Sequence, residues 1–176
     1  MTEQGKIHVY YGDGKGKTTA AMGLAIRAAG AGKKVLIAQF MKDERTSERQ
    51  ILGEIPGITL CPVPKQVKFS FQMTEKERFK QLQDNERQFI TIGEKQKETT
   101  YDMVILDEVL YALKNQLLSE LTLEDFLEQR PDDMEVVLTG NYLPEMVEKR
   151  ADYITEMKKI RHPFDKGVPA RRGIEI

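Results

Sequence analysis

One stretch near the start, Gly12-Asp13-Gly14-Lys15-Gly16-Lys17-Thr18-Thr19, constrains this chain more than any other. It follows Ile7-His8-Val9-Tyr10-Tyr11, a short β-branched and aromatic run that predicts a buried strand. It opens an alanine-rich run, Thr18 to Ala31, that predicts a helix ending near Gly30 and Gly32. A glycine-rich turn between a strand and a helix is the setting of a phosphate-binding P-loop. Glycines let backbone N–H groups turn around phosphate oxygens, and the helix N-terminus adds unpaired donors with roughly half a positive charge. Lys17 supplies a full charge, and the Thr18 hydroxyl suits Mg²⁺. The predicted nucleotide-contacting set is therefore Gly12, Asp13, Gly14, Lys15, Gly16, Lys17, Thr18 and Thr19. The general pattern has a glycine five residues before Gly16. Tyr11 stands there, so this loop is one residue short.

Further strands are predicted at Val35–Phe40, Ile58–Val63, Met103–Leu106, Glu135–Thr139 and Tyr153–Met157. Helices are predicted at Thr74–Lys97, with Phe79, Leu82, Phe89 and Ile90 on one face, at Leu121–Gln129 and at Glu145–Arg150. Alternating strands and helices imply an α/β fold of the three-layer, RecA-like P-loop NTPase type, with a mostly parallel sheet covered on both faces. Ligands in such sheets bind beyond the carboxyl ends of the strands. With 176 residues, no repeats and no linker, one domain over residues 1–176 is expected.

A second metal-binding residue should come from a strand ending in an acid. Val104-Ile105-Leu106-Asp107-Glu108 fits, and the residues alone leave open which acid takes the metal. The 27 basic and 28 acidic side chains leave no basic footprint for nucleic acid or an anionic membrane. The polar start, Met1 to Lys6, does not read as a signal peptide, and no apolar run nears the ~20 residues that span a bilayer. Cys61 is the only cysteine and reads as a small apolar residue, so a reducing, cytoplasmic setting is expected. His8 reads as a satisfied core histidine and Lys6 and Arg27 as surface charges. On pattern alone, Phe69 and Phe71 alternate as on a strand and pack into the core.

Beyond the P-loop, the sequence resembles the P-loop type of ATP:corrinoid adenosyltransferase from Gly5 to Glu175. The likeness rests on the short loop followed by Ala20-Ala21-Met22-Gly23, on Gln39-Phe40-Met41-Lys42, on Leu106-Asp107-Glu108 with Tyr111-Ala112, and on Arg130-Pro131 and Val137-Leu138-Thr139-Gly140. It rests also on the tail, Thr155-Glu156-Met157, His162 to Ala170 and Gly173-Ile174-Glu175. The resemblance implies that Co(I) of a corrinoid attacks the 5′ carbon of ATP and triphosphate leaves, with ATP held in the reverse sense along the loop. It implies Lys17, Thr18 and Glu108 as catalytic residues, and Thr18, Asp107 and Glu108 around Mg²⁺. Phe69 and Phe71 stand where relatives carry Phe-x-Trp, aromatics that fill the space beneath the corrin. The chain has no Trp, and Asn141 replaces the usual Arg after Thr-Gly. The resemblance also implies a homodimer and a flavin-type reductase as electron donor. His162, Arg171 and Arg172 are read either as tail and surface residues or as contacts to corrin or phosphate.

Two other readings compete. A P-loop kinase or ligase would release ADP and need a hydroxyl or amine acceptor site, for which no motif is present. A non-catalytic ATP switch or corrinoid carrier would bind nucleotide without turnover.

Overall fold

The structure, a computed structural model, describes residues 4–175; Met1 to Glu3 of the polar start, and Ile176, lie outside the described residues. Six strands form one sheet: β1 (Ile7–Tyr11), β2 (Val35–Gln39), β3 (Ile58–Leu60), β4 (Met103–Asp107), β5 (Glu135–Gly140) and β6 (Tyr153–Glu156). Their order is β3-β2-β4-β5-β1-β6, and every neighbouring pair is parallel. The helices are α1 (Lys17–Gly30), α2 (Glu48–Leu52), α3 (Glu75–Glu98), α4 (Val109–Lys114), α5 (Glu120–Gln129) and α6 (Glu145–Glu148). Short 3-10 turns cover Ser70–Gln72 and Pro163–Lys166. No described helix is long and apolar enough to cross a membrane.

The layers follow from strand periodicity, because successive side chains point to opposite faces. Val35, Ile37, Met103, Ile105 and Val137 meet Ala21, Met22, Ala25 and Ala28 of α1 on one face. Leu36, Ala38, Val104, Leu106, Val136 and Leu138 meet Ile92 of α3, Leu110 of α4, and Leu123 and Leu127 of α5 on the other. Strands buried on both faces read as near-continuous apolar runs, which is how Val35–Ala38 of β2, Met103–Leu106 of β4 and Val136–Leu138 of β5 appear in the sequence.

The expected face of α3 is partly corrected. Phe79 and Ile90 are exposed, while Gln81, Asn85 and Ile92 are buried. Asn85 is tolerated inside because it donates to the Leu117 carbonyl at 2.8 Å and accepts from Gln81 at 3.0 Å. Thr74 and Glu77 close a reciprocal capping box that fixes where α3 starts. The third strand is shorter than expected. Cys61 still donates to the Ile37 carbonyl at 2.8 Å, but Pro62 has no N–H to continue the ladder.

Candidate functional site: a nucleotide cleft and an open aromatic pair

The loop after β1 is shaped by the chain that leaves β6. A Cβ on Gly12 or on Gly14 would lie 2.5 Å from the Met157 carbonyl oxygen, so neither position has room for a side chain. Gly14 N–H donates to that same carbonyl at 2.6 Å, and Asp13 Oδ1 accepts from Lys159 N–H at 2.8 Å. Not every loop N–H therefore turns inward, and that of Gly14 fastens the loop to the sheet edge. Gly16 caps α1 at φ 117°, a left-handed conformation that favours glycine. The first turn of α1 carries no acidic side chain. Its N–H groups and dipole are free to meet an anion. Lys17 Nζ folds back to the Gly14 carbonyl at 2.6 Å, at the mouth of a cleft of about 270 Å³. The cleft is lined by the loop, Thr18, Thr19, Glu108, His162, Ile174 and Glu175.

Strand β5 lies between β1 and β4, which separates the loop from Asp107 by two strand spacings, roughly 9.5 Å. Two threonines span that gap. Thr18 Oγ1 donates to Asp107 Oδ1 at 2.9 Å, and Thr139 Oγ1 donates to the same oxygen at 2.7 Å. Thr139 also accepts from Glu108 N–H at 2.8 Å. The other carboxylate oxygen meets Lys42 Nζ at 2.9 Å and Gln39 Nε2 at 3.2 Å. Asp107 is fully enclosed. Burial pushes its carboxyl upward, but Lys42, Thr139 and Gln39 outweigh burial and hold it below the usual carboxylate range. Burial works against the Lys42 ammonium too, and the Asp107 and Glu48 carboxylates reverse this and raise it.

Glu108 behaves differently. Burial and then the neighbouring Asp107 charge push its carboxyl up to about 7, partly offset by Lys42 and Lys17. Its backbone is left-handed at φ 61°, and Met41 at the end of the adjoining β2 segment has φ 55°. Non-glycine residues rarely hold this conformation, and such strain clusters at functional sites.

The sequence-expected set is thus largely brought together: Asp13 to Thr19 and Glu108 line one cleft, and Asp107 is buried next to it, bonded to Thr18. Lys15 is exposed and donates to the Ile174 carbonyl at 2.7 Å. His162 lines the cleft, and its Nδ1 accepts from Phe164 N–H at 3.1 Å. Arg172 faces a separate hollow with Arg45 and Arg49, and Arg171 is paired with Glu175, whose carboxyl it pushes down to about 2. Lys42, Gln39 and Thr139 entered the sequence reading only as parts of matching segments. A lysine just past one buried strand, beside a strand ending in an acid, is the signal that points to Lys42. His8 is half-buried and paired with Glu135 at 2.8 Å, and Cys61 is buried with its thiol pushed up to about 11 by desolvation.

The core reading of Phe69 and Phe71 is overturned. They flank the first residue of a 3-10 turn rather than alternating on a strand, and Ser70 takes the inward place. The rings stack on each other at 5.6 Å yet are 67% and 80% exposed. Two stacked rings open to solvent form an apolar surface that the fold itself does not use.

A parallel three-layer fold with a P-loop after β1, and an acid-ended strand two positions away across β5, defines a P-loop nucleotide-binding protein. Residues 3–176 match the family model ATP:corrinoid adenosyltransferase BtuR/CobO/CobP, and the chain belongs to that family. It is 31% identical to the corrinoid adenosyltransferase of Escherichia coli (strain K12), over 98% of this chain and 86% of that one. It is 32% identical to corrinoid adenosyltransferase CobA of Salmonella typhimurium, with 98% and 86% covered, and 32% identical to the corrinoid adenosyltransferase of Pseudomonas aeruginosa, with 99% and 85% covered.

Proposed function

We propose that this chain transfers the 5′-deoxyadenosyl group of ATP to Co(I) of a corrinoid and releases triphosphate. The observation that carries the reading is the exposed, stacked pair Phe69–Phe71, which offers a broad apolar platform suited to a macrocycle and not to a small hydroxyl acceptor. The cobalt lone pair forms the bond to C5′ while the C5′–O bond breaks, and the electron pair of that bond leaves on triphosphate. Lys17 and the N–H groups at the start of α1 stabilise the charge that gathers there. The nucleophile is a metal centre, so no general base is required.

Mg²⁺ fits the donors present. No group of three or more His, Cys, Asp and Glu side chains is assembled for a metal among the described residues. The Thr18 hydroxyl with Asp107, and Glu108 beside them, offer a few hard oxygens, the partial set on which Mg²⁺ takes phosphate and water as its other ligands. When bound, Mg²⁺ supplies Lewis-acid stabilisation of the leaving phosphates. Asp107 orients Thr18, and Lys42 neutralises the Asp107 charge. The same reading includes a homodimer and a flavin-type reductase.

The test is an anaerobic assay with Mg-ATP and chemically reduced cob(I)alamin, following the cobalt spectrum and the phosphate product. Adenosylcobalamin with an equal amount of triphosphate is the expected result. Release of ADP would mean phosphoryl transfer, and tight binding without turnover would mean a carrier.

A further inference from the structure

Ser70, between the two open rings, is 5% exposed. Its hydroxyl donates to Asn115 Oδ1 at 3.2 Å and is 2.7 Å from the Tyr111 hydroxyl, which then donates to it. The Ser70 carbonyl accepts from Arg78 of α3 at 3.3 Å, and the other arm of that guanidinium bonds the Asn115 carbonyl. Asn115 Nδ2 in turn donates to the Tyr111 carbonyl at 2.9 Å. The aromatic turn is thus tied by side chains to one short element, because Tyr111 lies in α4 and Asn115 caps its C-terminus.

The other end of α4 begins at the acid pair, with Glu108 as its N-cap. Its back rests on Gly140, where an added Cβ would sit 2.6 Å from Tyr111 N and 2.7 Å from Leu110 Cβ. A six-residue helix wedged in this way does not bend, so it transmits position from one end to the other.

We propose that Ser70, Tyr111 and Asn115 are positioning residues that hold the Phe69–Phe71 pair in register with the Asp107–Glu108 pair, α4 acting as the spacer. The inference rests on the reading of the two rings as the surface beneath the corrin. It adds that the ring surface is set by the polar contacts of Ser70 and not by packing of the rings into the core, since the rings stack on each other and are mostly exposed. Loss of the Ser70–Tyr111 contact frees the turn while leaving both rings and the whole nucleotide cleft in place.

The experiment compares wild type with Ser70→Ala/Tyr111→Phe, which deletes both hydroxyls of the pair together and costs Asn115 Oδ1 its one donor from Ser70, and with Phe69→Ala and Phe71→Ala as references. Each is checked for unchanged folding by circular dichroism. The readouts are KM for ATP, KM for cobalamin, and the fraction of bound Co(II) cobalamin that shows the absorbance and electron-spin signature of a lost lower ligand. The double hydroxyl variant should raise cobalamin KM about tenfold, the factor associated with one buried hydrogen bond, and diminish the signature, with ATP KM unchanged within about twofold. Wild-type cobalamin KM and signature in that variant, while the Phe variants lose them, overturns the positioning role and leaves the reading of the rings standing. An equal rise in both KM values makes the network structural only and also overturns it. Wild-type behaviour in both Phe variants removes the reading of the rings and the inference with it.

Discussion

Replacing Lys42 by Met should cost about 3 kcal/mol of folding stability at pH 8, because it strands the most enclosed charge in the molecule. Asp107 has no solvent exposure and one cationic partner, Lys42 Nζ at 2.9 Å. Coulomb's law at an effective dielectric of about 20 makes that contact worth about 6 kcal/mol. Removing Lys42 gives back the desolvation of its ammonium and roughly 2 kcal/mol of side-chain entropy. Asp107 keeps three neutral donors, Thr18 and Thr139 on one oxygen and Gln39 on the other. The remaining deficit lies at the lower end of the 3–5 kcal/mol typical when one partner of a buried pair is deleted. The sign with pH follows. In wild type the folded Asp107 carboxyl lies below its unfolded value, so its contribution is present above about pH 4 and is lost on acidification through the folded pKa. Without Lys42, burial dominates and raises it. The native variant then takes up a proton where the unfolded chain does not, and its deficit shrinks as pH falls. Glu108 moves the same way, since Lys42 also holds it down. Urea unfolding of both proteins at about pH 5 and 8, without divalent ions, measures this directly. A deficit under about 0.5 kcal/mol at pH 8, or one that does not change with pH, would refute the argument.

Three further outcomes are expected. Gly14→Ala, whose Cβ would lie 2.5 Å from the Met157 carbonyl and spoil the 2.6 Å bond to it, should weaken ATP binding more than about tenfold in a fluorescent-nucleotide titration; wild-type affinity would show that the loop is not fixed by the chain after β6. Wild-type stability should fall as pH rises from about 4.5 to about 7, because native Glu108 stays protonated where the unfolded carboxyl is ionised. The loss is at most about 3 kcal/mol and should be absent from Glu108→Gln; equal slopes in the two proteins would rule it out. Cys61, buried with its thiol pushed up to about 11, should resist iodoacetamide in the native protein and react in urea, and rapid native labelling would contradict its burial.

The elements with a repeating pattern were legible in the sequence. All six strands fall within or against the runs expected for them, with β3 ending early and β6 exposed throughout, and α1 and α3 agree with their expected bounds to within a residue. What could not be read lacks a local signature. Helix α4 is six residues, mostly apolar, and starts from a left-handed glutamate where no capping side chain marks it. The outward turn of Phe69 and Phe71 depends on Ser70 finding Tyr111 and Asn115, 41 and 45 residues away. The pairing of Lys42 with Asp107 joins the ends of two neighbouring strands, so it appears only once β2 and β4 are side by side. The loop was legible as a phosphate site, yet its attachment to Met157 was not, because no sequence pattern tells an inward N–H from one that props the loop.

These non-local contacts share a physical consequence. Lys17 and Glu108 line the nucleotide cleft with the Lys42–Asp107 pair buried next to them, and the carboxyl of Asp107 is held down while that of Glu108 is pushed up to about 7. With Lys42 committed to Asp107, Glu108 is the group whose charge responds to what enters the cleft. A cation beside it would lower its pKa, and approaching phosphate would raise it. Nucleotide bound without a cation should therefore leave Glu108 protonated, and nucleotide bound with Mg²⁺ should ionise it. Calorimetry of ATP binding at pH 7 in two buffers of different ionisation enthalpy separates the cases. Proton uptake without Mg²⁺ and proton release with it is the expected pattern, and Glu108→Gln should abolish the difference. The same proton balance in both conditions would mean that Glu108 lies too far from phosphate and metal to sense either.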